Sequence, residues 1–217
     1  MLKPYSKADA IRHLKKYGLY IMKPTDIDRF VSCGVQAFDG YELYKYFFHG
    51  KDYVKKISLA LEMVIKVTGE KGLLYADSEE VNGFAQWVPP GFSGNTLWSY
   101  IQSGLWKYLF MTDFIGSVQR MDLTDRYAFK KKTEITQDQD VFLYNLAVKP
   151  SMRGRGIAKR LVQPMLEYAS TINRPCYLET YDTSNITIYK RIGYQKLQDS
   201  KVPGTFLTHY PFIYKVH

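Results

Sequence analysis

Apolar residues along this 217-residue chain switch between a period near 3.6 and short unbroken runs, the pattern of helices interleaved with buried strands. Residues 6–17 predict a short basic helix with Ser6 as its N-cap and Gly18 as its stop. Leu19, Tyr20, Ile21 and Met22 make an apolar strand that Lys23-Pro24 ends. Thr25 or Asp26 then caps a helix whose apolar side holds Ile27, Phe30, Val31, Gly34, Val35 and Phe38. Residues 52–68 form a stronger amphipathic helix, with Val54, Ile57, Leu61, Val64 and Ile65 as its stripe. Two strand runs follow, 72–77 and 81–88, joined by the acidic turn Ser78-Glu79-Glu80. Pro89-Pro90-Gly91 ends the second, because proline has no N–H for the ladder. From about 95 to 126 the helical period returns at Leu97, Trp98, Ile101, Leu105, Tyr108 and Leu109, then at Phe114, Ile115, Val118 and Met121. Gly104 and Gly116 are expected to interrupt it, and Lys130-Lys131-Lys132 and Gln137-Asp138-Gln139-Asp140 to form loops.

The next stretch carries the chemistry. Residues 141–148 are apolar, aromatic and β-branched, of strand length, and Lys149-Pro150 closes them. Ile157, Leu161, Met165 and Ala169 then recur at helical spacing, continuing through Pro164, which predicts a kinked helix. Between strand and helix lies Ser151-Met152-Arg153-Gly154-Arg155-Gly156-Ile157-Ala158. A helix N-terminus offers unpaired N–H groups and partial positive charge, and glycines let an oxyanion approach the backbone. Arg153 and Arg155 add cationic forks matched to phosphate. The stretch reads as an anion site suited to a pyrophosphate. It is not a P-loop, since no Lys-Ser/Thr follows the last glycine. Nor is it a dinucleotide fingerprint, since Lys159 stands where the third glycine belongs. A further strand at 175–180 and a short helix at 185–193 complete the region, with Asn185 and Tyr189 four apart on one helix face.

The pattern Arg153-x-x-Gly156-x-Ala158 resembles the pyrophosphate loop of the GNAT superfamily of acetyl-CoA-dependent N-acetyltransferases, and Asn185, Tyr189 and Gly193-Tyr194 extend the resemblance. It implies an α/β fold: a central mixed, mostly antiparallel sheet of six to seven strands flanked by helices. It further implies one domain over residues 1–217, with a helical insertion at about 92–139 before the loop strand and an acetyl-CoA-binding core at about 140–197. In the family the loop strand, here Asn145, Leu146, Ala147 and Val148, lies beside the pantetheine. Arg153, Gly154, Arg155, Gly156, Ile157 and Ala158 would hold the diphosphate, and Asn185 the pantetheine arm. Tyr189 would protonate the departing thiolate, and a backbone N–H near Leu146 is the candidate oxyanion donor. Trp87-Val88-Pro89, the helical insertion, Pro164 and Val202-Pro203-Gly204 resemble the puromycin-N-acetyltransferase-like branch. Members of that branch often carry a histidine near the entry of the loop strand, where this chain has Asp140 or Val141. The general base therefore stays open between Glu179, Asp140 and none.

Composition narrows the rest. A hydrophobic content of 46% with 24% charged residues is that of a globular chain with a core, not a disordered one. No apolar run reaches the length of a membrane span, and Met1-Leu2-Lys3-Pro4 opens no signal-peptide core. Cys33 and Cys176 lie within apolar stretches, so buried reduced thiols in a cytoplasmic protein are expected. His13, His49, His209 and His217 lack metal-ligand spacing, and Ser93 lies in no nucleophile elbow, so neither a metal site nor a serine hydrolase is expected. The net charge of +9 calls for an anionic partner or is a lysine-rich solvated surface. Nucleic acid is disfavoured, for want of a helix-turn-helix, zinc-finger or RRM motif, whereas Lys149, Arg153, Arg155, Lys159 and Arg160 gather around the loop. The aromatic run from Phe38 to Phe48 has two open readings, packing or the lining of an acceptor pocket. The function expected is transfer of an acetyl group from acetyl-CoA to a primary amine of a small molecule, peptide or protein. Attack would be direct, in a ternary complex, by a monomer or homodimer. The alternative is a non-catalytic acyl-CoA-binding sensing module, against which Tyr189 argues.

Overall fold

The computed structural model describes residues 1–92, 97–108 and 111–216, with the backbone alone at Glu70, 97–99, Leu105 and Tyr108. The readings of Ser93, Asn95 and Leu109, and those of the side chains of Leu97, Trp98, Leu105 and Tyr108, fall outside the described residues. In chain order the elements are α1 (Lys7–Lys15), β1 (Tyr20–Ile21), α2 (Ile27–Phe38), α3 (Glu42–Phe47) and α4 (Tyr53–Lys71). Then come β2 (Leu73–Ala76), β3 (Gly83–Val88), α5 (Leu97–Gln102), α6 (Phe114–Thr136), β4 (Val141–Val148) and α7 (Ile157–Thr171). The chain ends with β5 (Cys176–Thr180), α8 (Ser184–Ile192), β6 (Gln195–Lys196), β7 (Ser200–Lys201) and β8 (Thr208–Tyr214).

The strands form one open sheet in the order β1-β2-β3-β4-β5-β8-β6, with β7 paired to β8. Every pairing is antiparallel except β4–β5. This is the expected mixed, mostly antiparallel α/β sheet; it has eight strands where six to seven were expected, because β6 and β7 are ladders of two residues. Both faces are covered, which explains why β2 and β3 read as unbroken apolar runs rather than alternating ones. Leu73, Tyr75, Ala85, Trp87 and Leu143 join a core with α1 and α7; Leu74, Ala76, Phe84 and Ala147 join another with α2 and α4. Helix α7 runs through Pro164 to Thr171, and at that turn the Tyr75 hydroxyl donates to the Leu161 carbonyl.

Three expectations fail, each for a tertiary reason. Lys130-Lys131-Lys132 is not loop but the penultimate turn of α6. Lys132 is buried there and its Nζ donates to Asp138 (2.9 Å) and Asp140 (3.2 Å), a partnership that a run of lysines does not disclose. Gly116 does not break α6; a Cβ there would meet the Asp113 carboxylate and the Arg120 guanidinium, which pair across it. Val54 is exposed rather than part of the α4 stripe, since it sits in the first turn, beyond the core that Ile57 and Leu61 join.

Candidate active site

The loop after β4 has a backbone geometry that suits an anion. Pro150–Met152 makes one tight turn, Gly154 and Gly156 follow at φ 78° and 79°, and Gly156 is the N-cap of α7. Left-handed backbone at both positions is open to glycine and costly for other residues. The Arg160 N–H bonds back to Gly156, but the six N–H groups from Gly154 to Lys159 have no acceptor among the described residues. Successive N–H groups at a helix N-terminus form a concave, positively polarised cradle. Arg153 is tied down elsewhere: its Nη2 donates to the Ala37 carbonyl at 3.0 Å, fastening the loop to the end of α2.

The sheet opens beside this loop. β4 pairs with β3 along its length but with β5 only at Val141–Cys176 and Phe142–Tyr177, so the two parallel strands splay from Leu143 onward. Lys149 N–H bonds the Asn82 carbonyl on the β3 side. Strand alternation therefore turns Ala147 toward β3, and the Leu146 and Val148 backbone groups toward the gap. A cavity of about 1050 Å³ fills the gap. Leu146, Val148, Arg153, Gly154, Gly156, Ile157, Ala158, Asn185 and Tyr189 all line it; Ala147, buried against β3, and Arg155, exposed to solvent, do not.

Tyr189 is buried, its ring edge-on to Phe212 at 5.4 Å, and its hydroxyl makes no hydrogen bond among the described residues. Burial raises the phenol well above its ordinary pKa of 10, with a smaller contribution from Tyr41. Asn185 Nδ2 donates to Thr180 Oγ1 at 3.0 Å, and the same oxygen is 3.0 Å from the Tyr41 hydroxyl. The Tyr41 hydroxyl in turn accepts from Tyr181 N–H, so the segment before α3 is pinned to the end of β5. The aromatic run between α2 and α4 is thus both packing and lining: Tyr44 and Phe47 belong to the core and also face the cavity.

Of the two sequence candidates for a base, Asp140 is away from the cavity and bonded to Lys132 and Thr136. Glu179 lines the cavity, with its Oε2 2.8 Å from His209 Nε2 and accepting from the Tyr177 hydroxyl at 3.0 Å. Asp125, on α6, also lines it and was missed. It has no hydrogen bond or ion pair among the described residues, and burial, then Glu179 and Asp122, push its carboxyl up to about 7. In sequence it sits beside the ordinary i,i+4 pair Asp122–Arg126 and reads as one more residue of a solvated face. His209 was missed as well. Its one signal is a polar residue at a buried position of an alternating strand.

Residues 122–196 match the family model described as acetyltransferase (GNAT) domain. An uncharacterised N-acetyltransferase of Schizosaccharomyces pombe is 24% identical over 115 residues, which are 52% of this chain and about half (47%) of that relative's length. Among solved structures, a histone acetyltransferase HPA2 and related acetyltransferase from Corynebacterium glutamicum superposes with a TM-score of 0.61 at 18% identity, over 92% of this chain and 96% of that one. The Drosophila melanogaster polyamine N-acetyltransferase gives 0.56 at 12% identity, over 91% and 99%. At these identities the structural likeness is one of fold. Residues 122–196 are thus similar to an acetyltransferase (GNAT) domain, and the chain as a whole shares the fold of the solved acetyltransferases. Among the described residues no group of His, Cys, Asp and Glu is arranged to hold a metal, and no helix is long and apolar enough to cross a membrane.

Proposed function

We propose that this chain transfers an acetyl group from acetyl-CoA to a primary amine of a small molecule, peptide or protein, by direct attack in a ternary complex. The observation that carries the reading is the cradle of six N–H groups at 154–159, without a partner among the described residues, on the rim of a cavity that also holds Tyr189. The cradle suits the diphosphate of CoA, and the splayed edge of β4 offers Leu146 and Val148 backbone groups to the amides of a pantetheine arm. Asn185, with its Nδ2 engaged by Thr180, keeps its carbonyl oxygen for the same arm. Anchoring at the far end of the donor holds its thioester in place, an entropic advantage for attack. The Leu146 N–H is the donor for charge developing on the carbonyl oxygen. Tyr189 supplies the proton to the sulfur: burial keeps the phenol protonated until a thiolate, made more basic by the same apolar walls, is present to take it.

The acceptor enters from the side walled by α3 and α6, where Tyr44, Phe47, Met121, Asp125 and Phe129 line the cavity. The position of α6 and Pro164 supports the puromycin-N-acetyltransferase-like branch, with the chain as one domain and α5–α6 as its insertion. Cys33 and Cys176, free and buried, suit a reducing, cytoplasmic setting. The experiment is an acceptor screen with thiol detection, paired with calorimetry of Gly156→Asp. Thiol release with at least one amine, and loss of acetyl-CoA binding in a folded variant, are expected. Unchanged affinity in that variant would overturn the cradle. Tight binding with no thiol release from any amine would favour the sensing module.

A further inference from the structure

Two side chains bond the same oxygen of Glu179. Tyr177, on the same strand, donates its hydroxyl to Oε2, and His209 Nε2, on the neighbouring β8, stands 2.8 Å from that atom. Oε1 has no hydrogen bond among the described residues, and Glu179 lies where β5 has parted from β4, on the cavity wall. His209 is fully buried, between the rings of Tyr127 and Tyr181 at 5.8 and 5.7 Å. Its Nδ1 is buried without a partner among the described residues, so a hydrogen on Nε2 serves Glu179 while a second on Nδ1 would be stranded. A histidine held in one tautomer beneath a carboxylate, leaving the other carboxylate oxygen open, is the geometry of an oriented acceptor.

We propose that Glu179 Oε1 takes the proton from the ammonium group of the incoming acceptor, and that His209 is the positioning residue that fixes this carboxylate. The inference rests on the transferase reading above. The protonated amine gives one hydrogen to Oε1, which passes it to water; the freed lone pair forms the new C–N bond. The C–S bond breaks, the sulfur takes its hydrogen from Tyr189, and the second hydrogen lost by nitrogen returns that phenol to its starting state. Charges and atoms balance as ammonium plus thioester giving amide, thiol and one released proton. The titratable groups around Glu179 are Tyr177 on β5, Tyr181 just after it, His209 on β8, Asp125 on α6, Tyr41 before α3 and Tyr144 on β4; behind them, Asp122 stands near Asp125 and Tyr127 packs on His209. Asp125 is the rival, because it borders the same cavity.

The test uses the full chain with acetyl-CoA and either 1,4-diaminobutane or phenethylamine as probe amine. Glu179→Gln should lower kcat/KM about 10²-fold or more and flatten the rise of kcat/KM with pH. His209→Leu should cost about ten- to a hundredfold in kcat while acetyl-CoA affinity holds, and His209→Gln, whose amide N–H reaches the same place, should recover most of it. Nitrogen NMR of labelled histidine should show His209 with its hydrogen on Nε2 and a changed resonance in Glu179→Gln. If Asp125→Asn, and not Glu179→Gln, removes the pH dependence, the proposal is overturned in favour of Asp125. A spectrum with the hydrogen on Nδ1, or one indifferent to Glu179→Gln, overturns the positioning whatever the activity. A wild-type chain that acetylates neither amine counts against the transferase reading itself, and the spectrum still decides the pairing.

Discussion

Tyr189 shows how much a single residue can reveal and how much it hides. Its spacing from Asn185 and Gly193 marks it in the sequence, but its raised pKa and its cavity-lining position come from packing against Phe212 and Tyr194. Tyr189→Phe removes only a hydroxyl, so acetyl-CoA affinity should hold while kcat falls by about 10²–10⁴-fold. The loss should shrink with an acyl donor whose thiol is more acidic, which steady-state kinetics with two donors would show. Asp125 is the opposite case, invisible until α6 is placed. Its folded pKa of about 7 lies above the ordinary 3.8, so the folded chain binds the extra proton between those values. Stability from this group is complete below about pH 4 and is lost as pH rises through 7. Asp125→Asn should therefore match the wild type in Tm near pH 4 and exceed it at pH 8. The gain should be on the order of 1 kcal/mol, reduced because the cavity admits water.

At the scale of elements, the β4–loop–α7 unit was legible because each of its signals is local. An apolar run ends at Lys149-Pro150, two glycines take left-handed backbone, and a 3.6 period begins. The C-terminal half of helix α6 was not, because its low amphipathicity hides a buried charge. Lys132 and Asp140 are both shut from solvent, and Thr136 adds its hydroxyl to Asp140. A pair of this kind adds little net stability, yet losing one partner strands the other. Lys132→Ala should destabilise the chain by about 3–5 kcal/mol in denaturant unfolding. Because neither residue bonds to the loop or to α8, acetyl-CoA affinity of the folded fraction should be unchanged.

For the molecule as a whole, the cavity is an intersection of pieces far apart in sequence: α3 from the first quarter, α6 from the middle, and the loop and α8 from the last part. If α6 walls the acceptor end, Met121→Trp should raise the acceptor KM roughly 5- to 100-fold, the range expected for an overfilled site, with acetyl-CoA KM unaltered. Trp106→Lys, at a residue 58% exposed and outside the cavity, is the control and should change neither. By itself the sequence determined most of the element order from α1 to α8, though not α3, together with the glycine-rich turn and the helix face shared by Asn185 and Tyr189, since these follow from periodicity and backbone preference over a few residues. Tertiary structure alone decided that β4 and β5 part after two pairings, that the Leu146 and Val148 backbone faces the gap while Ala147 does not, and that His209 lies beneath Glu179. Those depend on register between strands and on which helix covers which face, quantities that no local stretch of chain encodes.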